Sequence, residues 1–118
     1  MAKYLLLIYG DEKKWTDMTE SEQKELGEGH LAFREAAGAR VLGGHELELA
    51  STATTLRADA AGRPIPTDGP FLETKEAVGG YYLLEAADLD EAISLVGRLH
   101  EVYAGHSGVE IRPVVGPS

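Results

Sequence analysis

The chain has 118 residues, 43% hydrophobic and 26% charged, with no cysteine, which excludes disulfides, thiolate metal sites and cysteine nucleophiles. Eleven basic against twenty acidic residues give a net charge of −9, a field that repels polyanions and disfavours direct nucleic-acid binding. No apolar run approaches the ~20 residues needed to span a bilayer, and Met1-Ala2-Lys3-Tyr4 shows no signal-peptide anatomy. One domain over residues 1–118, cytoplasmic and without a membrane partner, is the expectation.

Tyr4-Leu5-Leu6-Leu7-Ile8-Tyr9 is apolar at every position. Alternate strand residues face opposite sides, so this reads as a central strand with both faces covered. Gly10-Asp11 ends it, and residues 12–17 read as a polar loop carrying the single tryptophan, Trp15. Thr19 and Glu22 form a capping-box pattern. They open a helix to Ala37, stopped by Gly38, with a stripe of Leu26, His30, Phe33 and Ala37. Gly27 and Gly29 weaken that helix by about 1 kcal/mol each relative to alanine, unless they admit another segment at close range.

Residues 40–49 read as a strand kinked at Gly43-Gly44, and residues 52–57 as a strand antiparallel to it. Pro64 and Pro66 mark an edge or a protruding arm, because neither can donate to a ladder. Residues 80–86 are a second central strand. Asp88 caps a helix predicted to bury Leu89, Ala92, Ile93, Val96 and Leu99. A loop over 103–108 leads to a last strand over 109–115, on which Glu110 and Arg112 share a face and pair. The order β-α-β-β-arm-β-α-β predicts an α+β, ferredoxin-like fold: an antiparallel sheet with two helices on one face. Its apolar second face predicts a face-to-face homodimer.

The densest cluster of special residues is Thr67-Asp68-Gly69-Pro70-Phe71-Leu72-Glu73-Thr74-Lys75-Glu76, followed by Gly79-Gly80-Tyr81-Tyr82. Asp68 in a tight turn suits a base or a carboxylate that orients an imidazole; it equally suits a cap of its own turn. His30, on the apolar stripe of the first helix, suits proton transfer facing Asp68, or a half-buried histidine satisfied by a carbonyl. Phe71 pins the loop. Glu73, Lys75 and Glu76 either bind a polar substrate or form an ion-pair network. Tyr81 and Tyr82 are neighbours on a strand and face opposite sides. His45, His100 and His106 lack metal spacing, Gly79-Gly80 lacks the features of a phosphate loop, and no serine sits in a nucleophile elbow. Neither a metal nor a cofactor is expected.

The Thr67–Glu76 loop with Gly79-Gly80-Tyr81-Tyr82 resembles the signature of the DGPF proteins, a branch of the YCII-related family. The resemblance extends to the opening strand Lys3–Gly10, to Gly43-Gly44 with Leu47, to Ala53–Arg57 and to Glu110–Val114. It implies a dimeric α+β barrel. Relatives include a lyase-type dehalogenase of a ring substrate, which suggests a His–Asp pair in a pocket. DGPF members also accompany extracytoplasmic-function sigma factors, which suggests a regulatory link. Two functional readings follow. One is a cofactor-free lyase or isomerase with His30 and Asp68 catalytic and Phe71, Glu73, Lys75, Tyr81 and Tyr82 holding a small molecule. The other is a non-enzymatic metabolite-binding or regulatory module that engages a sigma factor. A third reading makes the Asp68 loop only a lock for the dimer.

Overall fold

The structure, a computed structural model, describes residues 1–116. Strand β1 (Ala2–Asp11) is central, as its two-faced apolarity predicts, and lies between β5 (Glu76–Ala86) and β6 (Ser107–Pro113). Strand β2 (Val41–Glu46) pairs with β5 and completes a four-stranded antiparallel sheet in the order β2-β5-β1-β6. Helices α2 (Glu20–Ala37) and α3 (Leu89–Val96) pack on one face of it. The fold is α+β and ferredoxin-like. Among the described residues no helix is long and apolar enough to cross a membrane.

The burial of β1 alternates strictly. Tyr4, Leu6 and Ile8 are buried, and with Tyr82, Leu84 and Ala86 of β5 they meet Phe33 and Ala37 of α2 and Ala92, Leu95 and Val96 of α3. Leu5, Leu7 and Tyr9 point to the opposite face, where no helix covers them, and are only half-buried. Leu83 pairs with Leu5 and Tyr81 with Leu7 on that side.

Four local expectations change. Residues 12–16 form a short helix, α1, rather than a loop: the Asp11 side chain accepts from the Lys13 amide at its start. Strand β3 (Thr54–Ala58) does not pair with β2. It pairs with β4 (Pro64–Asp68) in a separate two-stranded arm, while Gly44 lets β2 lie against Tyr81 and Tyr82 where a Cβ would collide. In α3, Leu89 and Ile93 are exposed and Leu95 is buried; two overlapping apolar stripes compete there, and the sheet takes Ala92-Leu95-Val96. Thr19 caps α2 by accepting from the Glu22 amide, but the Glu22 carboxylate does not reach back. It binds His106 Nε2 at 3.0 Å and His100 Nε2 at 3.4 Å, tying the start of α2 to the segment entering β6. Glu110 and Arg112 do pair.

Gly29 is where α2 meets the 3₁₀ turn His100–Val102. A Cβ at Gly29 would lie 2.9 Å from the His100 amide nitrogen and 3.0 Å from the Arg98 carbonyl oxygen, both backbone atoms, whereas Gly27 faces open space. Alanine at the two positions should therefore have opposite effects: Gly27→Ala stabilises by about 1 kcal/mol, and Gly29→Ala destabilises despite the same gain in propensity. Urea unfolding of the pair checks this. The hydrogen bonds from His106, and then from His100, hold the Glu22 carboxyl below its ordinary value of 4.5. A depressed carboxylate stabilises the fold above its unfolded value, and that contribution is lost as pH falls through the folded value. The urea midpoint should thus decline below pH 4.5, and less steeply in Glu22→Gln.

Candidate functional site

Beneath α2, on the β2 side of the sheet, lies an open cleft of about 750 Å³. Glycines at 43, 44, 79 and 80 line the strand side. Leu26, Gly27, His30 and Arg34 come from α2, and Trp15 and Met18 add apolar wall. Trp15 is seated on two glycines: a Cβ at Gly10 or Gly79 would collide with its ring, and its indole N–H donates to Ser107 Oγ at 2.8 Å. Ser107 Oγ in turn meets His106 Nδ1 at 2.7 Å.

The polar end of the cleft is built around His30. Its Nε2 lies 2.9 and 3.0 Å from the two carboxylate oxygens of Glu101, and its Nδ1 lies 2.7 Å from Tyr82 Oη. Arg34, one turn along α2, donates to the same Tyr82 Oη at 3.2 Å. The Tyr82 ring packs on Phe33 with centroids 4.8 Å apart, which fixes its angle. Glu101 is only 6% exposed, and it is the buried charged residue among those described. A buried carboxylate is costly unless paired, and His30 is its partner. The contact depends on Gly29, which admits the turn carrying Glu101 against α2 one residue before His30.

An ionised carboxylate only accepts, so Nε2 carries the proton that Glu101 receives. In a neutral imidazole the other nitrogen is then an acceptor, and Tyr82 donates to it. Burial raises the Tyr82 phenol above its usual value, with the Arg34 guanidinium opposing. The hydroxyl is therefore protonated at neutral pH and free to donate.

The residues singled out in the sequence divide. His30, Tyr81 and Tyr82 line this cleft. Tyr81 lies on the opposite side of β5 from buried Tyr82, with its ring near His45. Asp68 ends β4 in the arm, opposite Thr54, and is exposed. Among the described residues its side chain accepts no hydrogen bond, from the turn or from His30; the carboxylate partner of His30 is Glu101 instead. Phe71, 65% exposed, sits under the Arg57 guanidinium. Phe71 and Glu73 border a second groove, of about 880 Å³, with Leu47, Leu49 and Tyr9. Lys75 is exposed, and among the described residues Glu73, Lys75 and Glu76 form no ion pair with one another. Arg34 and Glu101 are not among the residues that the sequence singles out. Arg34 had a signal, four residues after His30 on the same helix face. Glu101 had none, because only the folded turn distinguishes it from the other acidic residues. Among the described residues no group of histidines and carboxylates is arranged to hold a metal ion.

An uncharacterised protein of Rhizobium meliloti (strain 1021) is 32% identical over 112 residues, covering 94% of this chain and 90% of that protein. The YCII-related domain matches residues 2–115. The chain belongs to the YCII-related domain family.

Proposed function

We propose that this YCII-related chain is one domain whose cleft under α2 binds a small molecule and moves a proton on it without a cofactor, as a lyase or isomerase does. The observation that carries the reading is the Glu101–His30–Tyr82 chain of hydrogen bonds, which begins on a buried carboxylate and runs along the wall of the cleft. A carboxylate that orients an imidazole, which in turn reaches a hydroxyl, is the arrangement that shuttles protons in acid/base sites. Arg34 supplies positive charge where an oxyanion would form. On this reading Glu101 takes the role that the sequence suggested for Asp68, and Arg34 the role suggested for Lys75. Asp68, Phe71, Glu73 and Lys75 belong to the arm and its loop, outside the cleft.

The assembly proposed is a homodimer. Leu5, Leu7 and Leu83 form an apolar sheet face that no helix among the described residues covers, and a second sheet laid on it would remove them from water.

Two measurements test these proposals. In a thermal-shift screen of small organic acids and carbonyl compounds, a ligand of the cleft should lose its stabilising effect in His30→Ala and in Arg34→Ala while both variants stay folded. Any turnover should fall about 10²-fold or more in His30→Ala. Ligand binding that tolerates both substitutions would refute the acid/base site and favour the regulatory module. Sedimentation of Leu7→Glu should show a monomer where the wild-type chain sediments as a dimer; equal masses would refute the sheet-face interface.

A further inference from the structure

We infer that Tyr82 Oη, rather than the His30 imidazole, is the atom that exchanges a proton with the bound molecule, with His30 and Glu101 acting through it. The inference rests on the acid/base reading of the cleft and deepens it. His30 has two nitrogens, and both are occupied: Nε2 by the Glu101 carboxylate at 2.9 and 3.0 Å, Nδ1 by Tyr82 Oη at 2.7 Å. An imidazole so held has no lone pair or N–H left for a ligand. Glu101 shares the one Nε2 hydrogen of His30 between its two oxygens, and at 6% exposure it is the least accessible of the groups. With Nε2 protonated on a neutral ring, Nδ1 accepts and Tyr82 Oη donates to it; Oη also accepts from Arg34 and keeps further acceptor capacity. His30 and Tyr82, the two groups that can pass a proton along this chain, both line the cleft, and only the hydroxyl has acceptor capacity left for a ligand.

The step balances without a further reactant. The Tyr82 O–H bond breaks and its proton goes to His30 Nδ1. As it does so, Tyr82 Oη takes the proton of an acidic C–H or O–H of the ligand. The bond pair of that C–H or O–H remains on the ligand, as an enolate or alkoxide. The products are neutral tyrosine, an imidazolium ion paired with the Glu101 carboxylate, and a ligand anion. The Arg34 guanidinium, already within hydrogen-bond distance of Tyr82 Oη, is a second cation beside that anion. Every charged or titratable group shown bonded to Tyr82 or to His30 is thereby used: His30 and Arg34 from α2, and Glu101 from the turn before β6. The ligand class that fits is a weak carbon or oxygen acid, such as a compound with a hydrogen next to a carbonyl. Tyr82 is then the catalytic residue, and His30 and Glu101 are positioning residues.

The test has two arms. In nitrogen-15 NMR of the labelled protein at neutral pH, His30 should be a neutral imidazole with hydrogen on Nε2, and its Nδ1 signal should move toward that of a free acceptor in Tyr82→Phe. A hydrogen on Nδ1 would make Tyr82 the acceptor and would overturn the assignment. In the second arm, nitroethane serves as a carbon-acid probe, and its hydrogen exchange in deuterated water is followed by NMR. Wild-type protein should accelerate the exchange, and both Tyr82→Phe and His30→Gln should reduce it by about 10²-fold. Exchange that needs His30 but survives Tyr82→Phe overturns the role of Tyr82 and leaves the acid/base reading standing. No acceleration by the wild-type protein overturns both.

Discussion

The buried carboxylate of Glu101 is the constraint on which the site depends. A negative charge removed from water destabilises a fold by several kcal/mol unless something in the interior answers it. Here the answer is His30, and holding it there sets much of the local architecture. The turn at His100–Val102 must press against α2, so α2 carries a glycine at the contact. Tyr82 must present its hydroxyl to the far nitrogen, so β5 places that ring on the helix face, packed on Phe33. Arg34 then satisfies the remaining side of the hydroxyl. Four side chains from three elements are fixed relative to one another by hydrogen bonds, and each contact limits where the next can lie.

A second polar chain runs beside the first. Glu22 gathers His106 and His100, His106 meets Ser107, and Ser107 receives the indole N–H of Trp15. It links the first turn of α2, the entry to β6 and the short helix α1, whose only large apolar side chain is this indole on its glycine seat. The cleft thus lies among elements pinned by directed bonds at both ends of α2, while its strand side stays shallow because glycines carry nothing to fill it. Rigid walls with an unfilled floor leave room for a ligand at little loss of stability elsewhere.

Much of the fold was legible from periodicity. A strand apolar at every position is central, a threonine N-cap starts one helix, and an Asp before an amphipathic run starts another; the two caps are legible because the interactions behind them are local. Strand partners are not local, and the structure departs from the expected β2–β3 pairing for that reason: β2 and β3 are consecutive, but the glycines of β2 suit it to lie beside the tyrosines of β5. The site shows the same division. His30 stood out as a polar residue on an apolar stripe, and Tyr82 as one of a pair on a two-faced strand. Glu101 did not, since its distinction is burial, and burial is decided by how a turn sits against a helix seventy-one positions away in sequence. The motif that drew most notice, Asp68 with its glycine and proline, belongs to the arm, and its density of special residues is accounted for in part by the turn: Gly69 has φ of 102°, a conformation glycine adopts readily.

The arm has a property of its own. The Gly69 amide bonds inward to the Ala53 carbonyl and the Arg63 carbonyl accepts from Asp59 across the hairpin, so odd-numbered residues of β4 direct their backbone groups toward β3 and even-numbered ones outward. Pro64 and Pro66 are even-numbered. The free edge of β4 therefore lacks N–H donors at two successive outward positions, and an incoming strand cannot build a regular ladder on it. A protruding two-stranded ribbon with exposed Leu56 and Ile65 would ordinarily invite edge-to-edge polymerisation; the prolines let this one stand clear of the main sheet without seeding it.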